Sequence, residues 1–294
     1  MVEQVLWMFF SGLTQGCIYA FVALGVVIVY SMTRIFNLSV GMFVVLGAFL
    51  AITLYEHGLP LPLSIILGLA ANCAIAAVTW MLFLHRPYSE AASHWTLLLI
   101  AATLGLVLMG VTYIIFGPHA KELPSFTGFK PSVGGVTVAA QSIWIWGVAI
   151  LAVACLFFVF NRTLIGKAFR ACSERPLAAR LMGINPNFMA LLSFILSALL
   201  GGIAGVIVVP LTTLSYGTAL GLSVKGCLAA MLGGADRAEG AIAGGVLLGL
   251  LESFAGGFIS ARFMEAIALG CLIIILLIRS EGIFGIREEK FCRK

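Results

Sequence analysis

Residues 5–30 read VLWMFFSGLTQGCIYAFVALGVVIVY, a run without one Asp, Glu, Lys or Arg. As a helix rising ~1.5 Å per residue it would extend about 39 Å, more than the ~30 Å hydrocarbon core of a bilayer. A secretory leader carries a basic segment and then an apolar stretch of roughly 7–15 residues. Here the preceding residues are MVEQ, acidic rather than basic, and the apolar run is far longer. The stretch is expected to remain in the chain as a first transmembrane helix.

The rest of the sequence has the same character. Of 294 residues, 62% are hydrophobic and 10% charged, and the mean hydropathy is +1.13. A water-soluble domain has about a quarter of its residues charged. The expectation is an all-α polytopic transmembrane bundle, a single domain over residues 1–294. Further apolar runs lie at 37–55, 61–84, 95–116, 141–160, 188–212, 240–259 and 265–279. A shorter run at 219–233 would extend only about 22 Å. Eight or nine membrane segments are therefore expected.

Basic residues give the orientation. The segment 161–187 carries Arg162, Lys167, Arg170, Arg175 and Arg180 against Glu174 alone, and the tail carries Arg279, Arg287, Lys290, Arg293 and Lys294. Positively charged flanks stay in the cytoplasm, which places this segment and the C-terminus inside. Counting backwards puts Arg34 and Arg86 inside, and the N-terminus and residues 117–140 outside. The net charge of +5 is this bias and needs no nucleic-acid partner. The external segment, with its prolines, glycines and alternating VTVAA, reads as a small hairpin or cap.

Residues that carry chemistry are sparse. His57, His85, His94 and His119 fall at loops or helix ends, and His119, Lys121 and Glu122 form no catalytic spacing. The seven cysteines (17, 73, 155, 172, 227, 271, 292) show no Cys-x-x-Cys and read as small buried hydrophobes rather than metal ligands. A Gly-x-x-x-x-Gly-Lys-Ser/Thr phosphate loop is missing. No metal or cofactor is expected in this chain, and a membrane enzyme is the weakest functional class.

Two segments resemble each other. Residues 38–48, LSVGMFVVLGA, and 222–235, LSVKGCLAAMLGGA, both run from Leu-Ser-Val to a Leu-Gly pair. The topology sends them in opposite directions, as an inverted repeat would, and such repeats place a pathway near the midplane. Chance similarity between two small-residue helices is the alternative. In the second segment Gly226, Ala230 and Gly234 form a small-xxx-small face, with Lys225, Ala229 and Gly233 beside it, so Lys225 borders a helix seam. A lysine at the membrane centre costs about 2.5–3.5 kcal/mol even on insertion scales. It therefore faces a polar cavity or a partner, or else snorkels to the headgroups. Glu252, within LLGLLESFAGG, is a candidate partner, a proton carrier or a helix contact.

The segment TLIGKAFRACSERPLAARLMGIN (163–185) resembles the cytoplasmic loop of branched-chain amino acid importer permeases of the ATP-binding-cassette class, LivH-like proteins. Its LAARLMG is similar to the Glu-Ala-Ala-x-x-x-Gly signature by which importer permeases engage their ATPase, with Leu177 in the glutamate's place. The resemblance continues through KGCLAAMLGGADRAEGAIAGGVLLGLLE (225–252), GLTQGCIYAFVALGVVIVY (12–30) and FNLSVGMFVVLGA (36–48), nearly the whole chain in order. It implies a LivM-like second permease, two ATPases that bind the ATP, and a periplasmic binding protein, all at a bacterial inner membrane. It also implies roles. Arg170, Glu174, Ala178, Ala179 and Gly183 would couple to the ATPase. Asn37, Ser39, Gly41 and Lys225 would line or stabilise the pathway. Gly41, Gly201, Gly205, Gly244 and Gly245 would let helices pack closely. Val40 and Met42 stand where many such permeases have His and Glu, a departure that sets a different small organic acid, aromatic compound or amide against leucine, isoleucine and valine as the expected cargo. The rival class is a secondary transporter driven by an ion gradient, for which Glu252 is the supporting residue.

Overall fold

The computed structural model describes residues 2–90, 93–117, 123, 132–133, 136–137, 140–235, 237–259, 262–279 and 282–283. Twelve α-helices account for nearly all of them. They are α1 (Val2–Thr33), α2 (Val40–Glu56), α3 (Leu61–Thr79), α4 (His85–Ser89), α5 (His94–Phe116) and α6 (Ala140–Arg162), then α7 (Leu164–Glu174), α8 (Pro176–Leu181), α9 (Pro186–Val208), α10 (Thr218–Gly233), α11 (Ala238–Phe258) and α12 (Met264–Ile278). Within the segment expected as a hairpin, β1 (Ser132–Val133) and β2 (Val136–Thr137) pair antiparallel. His119, Lys121, Glu122 and the tail's Arg287, Lys290, Arg293 and Lys294 lie outside the described residues.

Every apolar run of the sequence is a helix, but their lengths differ. Six are long and apolar enough to cross a membrane: Glu3–Thr33, Leu61–Ser89, His94–Phe116, Ala140–Arg162, Pro186–Val208 and Ala238–Phe258. The Leu61–Ser89 span joins α3 to α4 through a wide π turn at Trp80–Leu84. The cause lies just beyond it. Pro87 has no N–H for the carbonyl of Phe83, so the helix widens before the proline.

α2 and α10 are only 17 and 16 residues long, and both begin at mid-depth. Gly25 of α1 meets Val40, the first residue of α2, eight residues before α1 ends. At ~1.5 Å per residue, α2 therefore starts about 12 Å inside that end of the bundle. Residues 34–39 fold back to reach it, with Ile35, Asn37 and Ser39 buried. From there α2 rises alongside α9: Gly201 faces Val40 and Phe43, and Gly205 faces Val44 and Ala48. α10 runs with α1 instead, Gly226 against Val22. The two Leu-Ser-Val helices thus point to opposite ends, and their starts touch where the Gly41 N–H donates to Ser223 Oγ at 2.9 Å.

In hydrocarbon, helices gain little from hiding apolar surface, so close packing and polar contacts must hold them together. The longest such seam joins α1 to α11. A Cβ on Gly12 would press on Ser253, one on Gly245 on Ala20, and one on Gly249 would overlap the backbone of Gly16. Gly233 and Gly240 touch backbone to backbone between α10 and α11, and Gly244 lies on Ala229 O. Gly205 lies on Val44 O, whereas Gly201 makes only ordinary contact at 3.4 Å. Asn72 of α3 staples two more helices, its Nδ2 donating to Phe43 O of α2 at 3.0 Å and to Ala198 O of α9 at 2.8 Å. α6 is the opposite case, burying only Gln141, Ser142 and Ile145.

The seam makes a checkable claim. Gly249→Ala should lower the thermal midpoint in detergent by an amount equivalent to about 1–3 kcal/mol of overpacking. Gly147→Ala, whose Cβ would meet nothing within 4 Å, should change it by less than about 0.5 kcal/mol. Equal shifts would show that backbone contact does not carry the α1–α11 seam.

Candidate functional site: a polar group at mid-depth and a basic end segment

The end of the bundle that holds the α1 C-terminus also holds the basic segment. Tyr88 donates to Met32 O at 3.2 Å, and Asn187 Nδ2 to Ser89 Oγ at 3.0 Å. Thr163 caps α7 by accepting from the Gly166 N–H at 3.2 Å, and Pro176 opens α8. Phe169, Cys172 and Ala179 turn into the bundle. Of the residues expected to couple, Arg170, Glu174, Ala178 and Gly183 are exposed and Ala179 is buried. Arg170 donates to Asn161 Oδ1.

Gly183 has a definite conformational task. Its φ is +82°, a region that L side chains enter at a cost of roughly 1–2 kcal/mol. There the Gly183 N–H reaches Arg180 O and the Ile184 N–H reaches Ala179 O, both at 3.0 Å. This is the paired cap that ends a helix on a left-handed residue. It leaves Leu177, Leu181 and Met182 75%, 90% and 82% exposed, with Leu177 and Leu181 sharing one face at i, i+4.

At mid-depth the expected pathway residues divide into two groups. Asn37 Oδ1 accepts from the Ser39 N–H at 3.1 Å and from Ser39 Oγ at 2.6 Å, a local turn before α2 that leaves Asn37 Nδ2 buried and unpaired. Ser39 lies against Gly105 of α5, and Gly41 lies at the α2–α10 contact, on Ala219 and Ser223. Ser223, which completes that contact, escaped sequence reasoning, although it is the counterpart of Ser39 in the paired Leu-Ser-Val segments.

Lys225 sits elsewhere and has partners. Its Nζ is 3.0 Å from Glu252 Oε1 and 2.8 Å from Glu265 Oε1. Tyr19 donates to Glu252 Oε2 at 2.5 Å, and Lys225 Nζ approaches the Tyr19 oxygen at 3.3 Å. The group joins α1, α10, α11 and α12. Side-chain exposures of 18% for Lys225 and 5% for Glu252 show a paired charge rather than one reaching for headgroups. Glu265 is 67% exposed. It opens the run 265–279, and its place at that boundary was the available signal. Tyr19 carried none. His57, His85 and His94 are exposed and take no part, and the described residues contain no group of three or more His, Cys, Asp or Glu able to hold a metal.

A family model described as branched-chain amino acid transport system / permease component matches residues 8–277. The chain is 30% identical over 288 residues to the high-affinity branched-chain amino acid transport system permease protein BraD of Pseudomonas aeruginosa, covering 94% of each. It is 25% identical over 305 residues to the corresponding LivH protein of Escherichia coli, covering 97% of this chain and 98% of that one. The ribose import permease protein RbsC of Escherichia coli is 26% identical over 259 residues, 83% of this chain and 76% of that one. The chain belongs to the branched-chain amino acid transport system permease family and is a multi-pass membrane protein.

Removing one member of the buried ion pair should strand the other. Lys225→Met should destabilise the protein by about 3–5 kcal/mol, read as a lowered thermal midpoint in detergent. Glu252→Gln should cost less, since Lys225 keeps Glu265. The double variant Lys225→Met/Glu252→Gln should recover most of the loss. Additive losses would show that the pair is not a unit.

Proposed function

We propose that this chain is the membrane-spanning permease subunit of an ATP-binding-cassette importer. It sits in a bacterial inner membrane with α7, α8 and the C-terminus in the cytoplasm, and residues 1–294 form one transmembrane domain. The observation that carries this reading is the α7–α8 segment. It is a short helix with an exposed apolar face, rimmed by Arg170, Arg175 and Arg180, started by Pro176 and stopped by Gly183. An apolar helix face of this kind suits a groove in another protein.

In this reading Leu177 and Leu181 insert into the ATPase groove, Ala178 allows close approach, and Ala179 anchors the helix to the bundle. Arg170 and Glu174 set the charge of the rim. ATP is bound by the two ATPase partners, and this chain catalyses no reaction of its own. Closure of the ATPase pair pushes α7–α8, and the bundle rocks against a LivM-like second permease, a rigid-body change between inward- and outward-open forms. A periplasmic binding protein delivers the cargo. The curated relatives are named for branched-chain amino acids and for ribose, so a small organic solute is the class this scaffold carries. Asn37 and Ser39 set the turn that leads into α2, Gly41 sets the α2–α10 contact beside the path, and Lys225 stabilises the helices around it.

A second reading has its own observation. Glu265 joins Glu252 at Lys225, which gives a gradient-driven transporter two carboxylates at one cation. Orthovanadate separates the two in proteoliposomes holding the chain with its ATPases, second permease and binding protein. Uptake that orthovanadate abolishes supports the importer. Uptake by the isolated chain that collapses with the proton gradient supports the second reading. In the importer, Gly183→Val should leave the chain folded and ATP hydrolysis running while uptake falls at least tenfold, because Ile184 and the α8 face are re-aimed. Unchanged uptake would show that the segment does not transmit the ATPase stroke.

A further inference from the structure

The first half of α1, the start of α6 and the connection from α9 to α10 enclose a cavity of about 410 Å³. That volume falls within the ~300–1,000 Å³ of small-molecule sites. α1 and α10 run side by side, so Thr14 and Thr218 share one level and Ile18 and Leu222 the next. Since α10 begins at mid-depth, the cavity reaches from the end that holds the α1 N-terminus down to the centre of the bundle.

Its walls are mostly apolar, with polar groups set among them. Ser11, Thr14, Gln15, Ser142, Thr212, Thr213 and Thr218 contribute hydroxyls and an amide among apolar side chains, and among the described residues no ionisable side chain lines it. Two of the hydroxyl protons are already committed, Thr14 Oγ1 to Phe10 O at 2.8 Å and Thr218 Oγ1 to Ser215 O at 2.7 Å. These two therefore present only lone pairs to an occupant. The floor offers little to an anion. The first amides of α10, Thr218 and Ala219, donate to Ser215 O and Tyr216 O at 3.1 and 3.4 Å. Lys225, one turn beyond Leu222, is held by Glu252 and Glu265.

On the α6 side two unused polar atoms lie next to the lining residues, though not in the lining itself. Among the described residues, Gln141 Oε1 and Trp146 Nε1 are buried without a hydrogen-bond partner. Gln141 adjoins the wall residue Ser142, and Trp146 packs on the wall residue Phe10 with ring centroids 5.7 Å apart. A carboxylate here would be desolvated with no cation among the described lining residues to meet it, at a cost far above that of a neutral group.

We propose that this cavity receives an uncharged solute, or the uncharged part of one, bearing hydroxyl or amide donors. The proposal rests on the permease reading and names the chemistry of the cargo at this chain. It differs from the anionic cargo that a free Lys225 would have implied.

The test uses the full chain in lipid nanodiscs with Ser142→Cys, and Thr213→Cys as a second position should the first fail to fold. Three methanethiosulfonates are compared: 2-hydroxyethyl, ethyl and 2-sulfonatoethyl. Modification of the new cysteine is followed by peptide mass spectrometry, with each rate divided by that reagent's rate on a free cysteine peptide. The hydroxyethyl reagent should react at least threefold faster than the ethyl and at least tenfold faster than the sulfonate. Adding Thr14→Val and Gln15→Leu should erase the first difference. An ethyl reagent that reacts fastest, a sulfonate that matches the others, or no reaction at all would overturn the proposal. None of these outcomes depends on ATP-driven uptake, so the permease reading stands or falls separately.

Discussion

Backbone-to-backbone contact between helices is the constraint on which this structure depends. A soluble bundle is held by apolar surface leaving water, but lipid tails are as apolar as leucine and offer no such gain. What remains is attraction at very short range, and it requires that side chains be absent. Gly12 and Gly16 of α1 meet Gly245 and Gly249 of α11 for this reason, and Gly233 meets Gly240 where α10 turns into α11. Because these faces fix how α1, α10 and α11 lie together, they also fix where Tyr19, Lys225 and Glu252 converge.

A second constraint follows from the first. A chain that spans with α2 and α10 starting at mid-depth must bring non-helical backbone into a region without water, where each unsatisfied polar group is expensive. Residues 34–39 meet part of that demand with the Asn37–Ser39 turn, which still leaves Asn37 Nδ2 unpaired, and the start of α2 borrows Ser223 from α10. Asn72 performs a similar service farther along α2, adding a donor to carbonyls of two neighbouring helices. The polar side chains of the interior are thus concentrated where helices begin or cross.

Much of this was legible in the sequence. The apolar runs marked every apolar helix, and the interruption at Pro176 with the stop at Gly183 marked α7 and α8. The paired Leu-Ser-Val segments were legible as an inverted repeat near mid-depth, but that their starts touch was not. Other features were not legible, for physical reasons. Glu252 was visible as a partner for Lys225, but Glu265 and Tyr19 come from helices whose rotational setting depends on packing that a periodicity cannot report. The cavity was missed because its hydroxyls, Thr14, Ser142 and Thr218 among them, are scattered over distant segments and resemble the threonines and serines of any membrane helix. Gly201 shows the converse error: it belongs to a glycine pair but makes only ordinary contact.

α6 has a mechanical consequence. It touches the bundle mainly at its first residues, where Gln141 donates to Ile207 O at 3.0 Å, and it ends in the tight join to α7, where Phe160 meets Phe169. Between those points one stripe, with Ala149, Ala152, Val153 and Leu156, is half-buried against the core while its other faces are bare, and the helix is a rod about 34 Å long. A tilt of roughly 5° about the α7 joint would carry its far tip, with Ser142, through about 3 Å. One stiff rod therefore connects the exposed α7–α8 segment to the wall of the cavity at the opposite end of the bundle.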